Sequence, residues 1–205
     1  NPEPPPRPTL GVKWRDLLKD VDLARDTVAG KWEEMPDGSV MAFANGGEHT
    51  RMVVGGVIAP NYQVRMVFTR REGVCGVGLI LPLDSDNQVS LEIDGLQGTI
   101  SALGDTGYGV RVEADGPVLV DDVRHTCLAS VENSGAWTKI TIELDGRELI
   151  KYEGPADELH TADGWATPLG RLGFGVDRHV SAQIHEFSVR SFTGGKPASR
   201  PSTQP

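Results

Sequence analysis

From Gly38 onward the chain alternates apolar and polar residues one by one, and this period of two is what most constrains its fold. Tyr62, Val64, Met66 and Phe68 are interleaved with Gln63, Arg65 and Val67; Val89, Leu91 and Ile93 with Ser90 and Glu92; Ile140, Ile142 and Leu144 with Thr141 and Glu143. Successive side chains of an extended strand point to opposite faces, so each run carries one apolar face that must be buried. Further strands are expected over Val40 to Ala44, Thr50 to Val54, Val74 to Leu81, Thr99 to Leu103, Val118 to Asp121, His125 to Val131, Glu148 to Tyr152, Gly170 to Val176 and Val180 to Phe192. Asp37-Gly38, Asn45-Gly46-Gly47, Asp94-Gly95, Asp115-Gly116, Asp145-Gly146 and Asp163-Gly164 separate them with residues that tolerate positive φ, and Asp145-Gly146 reads as a hairpin turn. About a dozen short antiparallel strands with half-polar faces predict an all-β, two-sheet antiparallel β-sandwich; a closed barrel is the other architecture this alternation would fill. One short N-terminal helix is expected within Trp14 to Val28, where Leu17, Leu18 and Val21 make one stripe and Gly30 ends it.

Glycine (25) and proline (14) make up about a fifth of the 205 residues, which favours turns over long helices. Eight of the prolines lie in the two ends, so residues 1–8 and 197–205 read as Pro-rich linkers around a single domain over 9–196. With Asn1 in place of a starting Met, the expectation is a module of a larger protein with adjacent domains. Lys and Arg number 20 against 29 Asp and Glu, a net charge of −9, the wrong sign for phosphate neutralisation; no nucleic-acid partner is expected. No run of 18 apolar residues and no basic-then-apolar leader occurs, so neither membrane insertion nor a signal peptide is expected. Cys75 and Cys127 lie in apolar runs without a CxxC spacing and are expected as buried free thiols, or as a disulfide if their strands are neighbours.

Four segments carry a family resemblance: Asp16 to Trp32 (DLLKDVDLARDTVAGKW), Tyr62 to Leu83 (YQVRMVFTRREGVCGVGLILPL), Trp137 to Gly154 (WTKITIELDGRELIKYEG), and Gly170 to Phe192 with GRLGFGV and IHEFSVRSF. Their order resembles the concanavalin A-like lectin/glucanase superfamily, and more narrowly its laminin-G-like and 3-keto-disaccharide hydrolase-like domains. The resemblance implies a jelly roll whose relatives bind or cut glycans. Fold alone does not transfer an active site.

Within that resemblance, Glu92-Ile93-Asp94-Gly95-Leu96-Gln97 is similar to the Glu-x-Asp-x-x-Glu strand of laminarinase-like retaining glucanases. Glu92 would match the nucleophile and Asp94 the assisting carboxylate, but Gln97 stands at the acid/base position, and an amide cannot donate and recover that proton. Glu92 and Asp94 therefore read either as a catalytic or ligand-binding pair or as the solvated face of a strand whose core side is Val89, Leu91 and Ile93. Glu143 and Asp145 are a second pair, with Asp145 taken up by the turn. Asp84, Asp86 and Asn87 offer oxygen ligands for a structural Ca²⁺, though the segment is not an EF-hand, and the same residues suit a tight loop. No other cofactor is expected. Asp121, Asp122 and His125 are a candidate acid/base cluster. Trp165 and Tyr108, each flanked by glycine, read as sugar-stacking platforms or as caps on the open sandwich end, while Trp14, Trp32 and Trp137 read as core anchors. The leading expectation is a non-catalytic module binding a glycan or protein, in an extracytoplasmic or cell-surface setting. The alternatives are a glycoside-acting hydrolase using Glu92 and Asp94, and a structural spacer.

Overall fold

The alternating runs pair into fifteen strands in a computed structural model that describes residues 13–55, 60–105 and 111–192. The Pro-rich ends and Tyr108 lie outside the described residues. The strands are β1 (Arg15–Asp16), β2 (Thr27–Ala29), β3 (Lys31–Glu34), β4 (Val40–Phe43), β5 (Thr50–Val54), β6 (Asn61–Glu72), β7 (Val77–Pro82), β8 (Gln88–Asp94), β9 (Ile100–Gly104), β10 (Arg111–Asp115), β11 (Arg124–Ser134), β12 (Trp137–Leu144), β13 (Arg147–Pro155), β14 (Leu172–Val176) and β15 (Ser181–Ser191). They form two antiparallel sheets. One is ordered β13-β12-β11-β6-β15-β4-β3, with β1 also on β15; the other is ordered β10-β9-β8-β7-β14-β5-β2. The architecture is thus a sandwich and not a closed barrel.

Between the sheets, Val64, Met66, Phe68, Cys127, Ala129, Ile140 and Ile142 meet Leu79, Leu81, Val89, Leu91, Ile93 and Phe174, all fully buried in one cluster. Phe174 sits edge-on to Trp32, with ring centroids 5.5 Å apart, and 4.6 Å from Phe187. Both cysteines are free and buried, and burial pushes the Cys127 thiol up to about 12. The hairpin joining β12 and β13 turns at Asp145 (φ 51°) and Gly146 (φ 77°), two left-handed residues in a row, as a type I′ turn requires. The Asp145 carboxylate also accepts from the Thr126 amide (2.8 Å) and meets the buried His125 ring at 2.7 Å.

Several expectations are corrected. Trp14 to Val28 does not form one helix: the chain gives a 3-10 turn at Leu18–Asp20, a four-residue helix α1 (Leu23–Asp26), and then β2. The cause is aspartate. Asp16 accepts from the Leu18 amide and Asp22 from the Ala24 and Arg25 amides, so side chains capture the donors a continuous helix would need. Val118 to Asp121 is not a strand, because the Val118 and Leu119 amides go to the Asp94 carboxylate at 2.8 and 2.9 Å; the strand beside β9 is instead Arg111–Asp115. Trp137 is 43% exposed and so is no core anchor. Trp14 is half-buried, with the Arg65 and Arg190 guanidinium groups over its ring. Asp121, Asp122 and His125 are dispersed: Asp121 pairs with Arg70, Asp122 with Arg71, and His125 with Asp145.

Asp26, 1% exposed, ties α1 to the start of β14. It accepts from Arg25, from Arg171 at 3.2 Å and from the Asp22 amide at 3.0 Å. The Arg25 hydrogen bond leads over the opposing effect of burial, and the carboxyl is held down from 3.8 to about 2. A folded-state value below the unfolded one stabilises the protein above the unfolded value, and the benefit disappears as pH falls through the folded one. Asp26→Asn is therefore expected to cost about 2 kcal/mol at pH 7. In urea unfolding across a pH series, the deficit should shrink between the two values above and be absent below them.

Candidate functional site

Because Val89, Leu91 and Ile93 point into the core, Gln88, Ser90 and Glu92 point to the outer face of the seven-stranded sheet. That face is roofed. The segment 156–171, between β13 and β14, crosses it as a strap: the Ala162 amide donates to Ser90 Oγ at 2.9 Å, Thr161 Oγ1 to the Gln88 carbonyl at 3.2 Å, and Gln88 Nε2 to the Thr167 carbonyl at 3.1 Å. The Arg51 guanidinium donates to the Ala166 carbonyl. The reading of Glu92 as part of a solvated face is thereby corrected: strand alternation gave the correct face but carried no trace of the strap.

Trp165, at the middle of the strap, is 1% exposed and packs against the sheet over Gly78, where it serves as a cover and not an exposed platform. Its six-membered ring occupies the space that a side chain on Gly78 would need, since a Cβ there would fall 2.5 Å from the ring. Gly78 faces Glu92 across β7 and β8. The ring centroid of His49 lies 4.8 Å from that of Trp165.

Under this cover three side chains converge from the same end of neighbouring strands: His49 just before β5, Glu92 near the end of β8, and Asp177 just after β14. Each offers a donor atom, all within 4.8 Å of one another. His49 Nε2 is 3.2 Å from Asp177 Oδ2. The Asp177 amide donates to the Gly76 carbonyl at 2.9 Å, and its other carboxylate oxygen accepts from the His179 amide at 3.0 Å, which fixes its orientation. Glycines keep the room open. A Cβ on Gly76 or Gly95 would strike Glu92 at 2.3 or 2.8 Å, and one on Gly164 (φ +88°) would strike His49 Nδ1 at 2.4 Å.

The two carboxyls are pushed apart electrostatically. Burial raises Glu92 above the usual carboxylate range; His49 opposes that shift and the nearby Asp177 charge adds to it. Burial also works against Asp177, but the hydrogen bonds from His49 and the His179 amide outweigh it and hold Asp177 low. The Trp165 indole N–H lies close enough to favour the ionised Glu92, yet closes no hydrogen bond of ordinary geometry and is a buried donor without an acceptor.

Asp94 is not part of this group. At φ 59° it leaves the strand, and its fully buried carboxylate accepts from the Val118 and Leu119 amides and from Arg70 at 3.3 Å. Gln97 follows in a left-handed turn (φ 62°), so the strand that would carry Glu-x-Asp-x-x-Glu ends before its last position. Asp84 accepts from the Asp86 and Asn87 amides, both at 2.7 Å, and from Asn87 Nδ2 at 2.9 Å, so one carboxylate closes the loop between β7 and β8. These bonds hold Asp84 low against burial. Asp86 and Asn87 remain at the edge of a cleft of about 430 Å³, which they line with Gln88, His160, Thr167 and Leu169. Sequence reasoning missed His49 and Asp177 as partners of Glu92: they are 43 and 85 residues away, and no local spacing joins them.

No family model matches the chain, and no curated protein matches it. Solved structures do. A carbohydrate-binding module, CBM66 from Bacillus subtilis, aligns with a TM-score of 0.56 at 15% identity, covering 80% of this chain and 94% of that one. The Crh5 transglycosylase in complex with NAG aligns at 0.58 and 15%, covering 91% and 88%. Winged bean acidic lectin, complexed with methyl-α-D-galactose, aligns at 0.54 and 8%, covering 89% and 99%. The fold is the concanavalin A-like jelly roll. At these identities the likeness speaks for the fold. Carbohydrate-binding modules and lectins share this sandwich, and so does an enzyme. Among the described residues, no helix is long and apolar enough to cross a membrane.

The contact between Gly78 and Trp165 is directly testable. Gly78→Ala should lift the indole off the sheet and destabilise the fold by about 1–3 kcal/mol, as overpacking does. Tryptophan emission should shift to the red with stronger acrylamide quenching, and a Trp165→Phe background should remove that change.

Proposed function

We propose that this chain is a non-catalytic glycan-binding module that takes its ligand in the cleft at the edge of the strap. The observation that carries the reading is the cleft itself. At about 430 Å³ it is the size of a small-ligand site, and it is lined by a carboxylate, two amides, two hydroxyls and an imidazole beside Leu169, which is 54% exposed. Carboxylate and amide groups meet vicinal hydroxyls in pairs, and an apolar side chain accepts the C–H face of a sugar ring. Gln88 braces this wall through its amide nitrogen, which donates to the Thr167 carbonyl at 3.1 Å. The carbohydrate-binding neighbours support the same reading. On it, the protein works extracytoplasmically or at a cell surface, where polymeric glycans are met, with its Pro-rich ends joining it to adjacent domains. A protein ligand would need a larger apolar surface than this cleft presents.

The hydrolase alternative no longer has its Glu92 and Asp94 pair, because Asp94 is held by Arg70 and two backbone amides. A glycan array followed by calorimetry on the full chain tests the module. A sugar should bind, and Asp86→Ala and Leu169→Ala should each weaken it at least about tenfold, equivalent to 1.4 kcal/mol. Binding unchanged in both variants, or no response to any sugar, would overturn the proposal. Release of reducing ends that stops with Glu92→Gln would establish the enzyme instead.

A further inference from the structure

The cluster under Trp165 has a chemistry that glycan binding in the cleft does not use. An imidazole and two carboxylates from three strand ends converge within 4.8 Å, and this is the one group of three or more metal-ligating side chains found among the described residues. We propose that His49, Glu92 and Asp177 bind one divalent first-row cation, with Zn²⁺ the best match, and leave a coordination position open to water or to an oxygen of an incoming ligand.

The donor set is mixed nitrogen and oxygen, which suits Zn²⁺ better than the all-oxygen shells of Ca²⁺ or Mg²⁺. Three protein ligands are also what zinc sites with an open position use. The spacing fits. With bonds near 2.1 Å, two donors on a tetrahedral ion lie roughly 3.4 Å apart. His49 Nε2 and Asp177 Oδ2 already stand at 3.2 Å in a hydrogen-bonded contact; a cation would replace the Nε2 proton between them, and Glu92 would swing inward to complete the set. The ligands are also oriented from behind. Asp177 is held by the His179 amide and the Gly76 carbonyl, and glycines at 76, 95 and 164 leave the space that Glu92 and His49 fill.

A second observation points to the same place. The indole N–H of Trp165 is buried beside Glu92, close enough to favour its ionised form, yet makes no hydrogen bond of ordinary geometry as the side chains stand. A metal-bound water, or a Glu92 carboxylate turned to grip a cation, would accept from it. The carboxylates of the half-buried Glu92 and the buried Asp177 repel one another; His49 and Arg111 offset part of this, and Arg51 is committed to Glu48 and the Ala166 carbonyl. A cation between the carboxylates relieves that repulsion.

The site is tested without any sugar, so its failure and that of the glycan reading are separate results. Full-length chain freed of metal with a chelator is titrated with Zn²⁺ alone and the bound metal counted after gel filtration. One equivalent per chain is expected, with binding at least a hundredfold weaker in Glu92→Gln, Asp177→Asn and His49→Gln. No stoichiometric binding, or binding that all three variants retain, would overturn the site. If the variants fail to fold by circular dichroism, the wild-type chain decides with Co²⁺. Visible absorption bands of nitrogen and oxygen coordination, together with loss of Trp165 emission that Trp165→Phe lacks, are expected. Co²⁺ uptake that leaves Trp165 emission intact overturns the proposal.

Discussion

Everything on the outer face of the seven-stranded sheet depends on three side chains pointing the other way. Val89, Leu91 and Ile93 are wholly buried between the sheets, and each such residue contributes about 1.5–3 kcal/mol by leaving water. A slip of β8 by one residue would turn all three onto the outer face beneath the strap and drive Gln88, Ser90 and Glu92 between the sheets without their partners, a loss that is large against the stability of an ordinary domain. The register is therefore not negotiable. With it fixed, the strap finds its anchors at Gln88 and Ser90, and Glu92 is delivered beneath Trp165 next to His49 and Asp177.

The two carboxylates two residues apart at the end of β8 show how one turn separates the fates of similar side chains. Glu92 is still in extended backbone and projects from the outer face. Asp94 has entered the left-handed region and curls back to the sheet end, where Arg70 reaches it from β6. Arg70 is itself buried, with Asp94 and Asp121 as acidic partners and the Cys75 and Leu119 carbonyls as further acceptors. Such a hub is costly to break, because removal of one partner strands another charge out of water. Asp94 thus belongs to the framework and Glu92 to the site.

The sequence made the sandwich legible because period-two alternation is a direct imprint of a half-buried sheet, and because Asp-Gly turns such as Asp145-Gly146 mark where strands reverse. It made the N-terminal segment illegible: Leu17, Leu18 and Val21 satisfy a helical stripe, but the aspartates on either side of them, Asp16 and Asp22, bind the backbone more tightly than helix propensity can offset. The site was half legible. Glu92 stood out by its place in a strand and by the likeness to a glucanase motif, whereas His49 and Asp177 carry no signal until β5, β14, β7 and β8 lie side by side. Trp165 is legible as a glycine-flanked ring, but only the strap's hydrogen bonds decide that it faces inward.

The strap starts from β13, an edge strand of one layer, and ends at β14, an interior strand of the other. Its two footings are thus pinned by different halves of the sandwich and cannot drift without prying the halves apart. A guest arriving at this face meets walls already set in place, so little freedom is left to be lost on complex formation, and even a shallow polar recess can hold a small flexible molecule with useful strength.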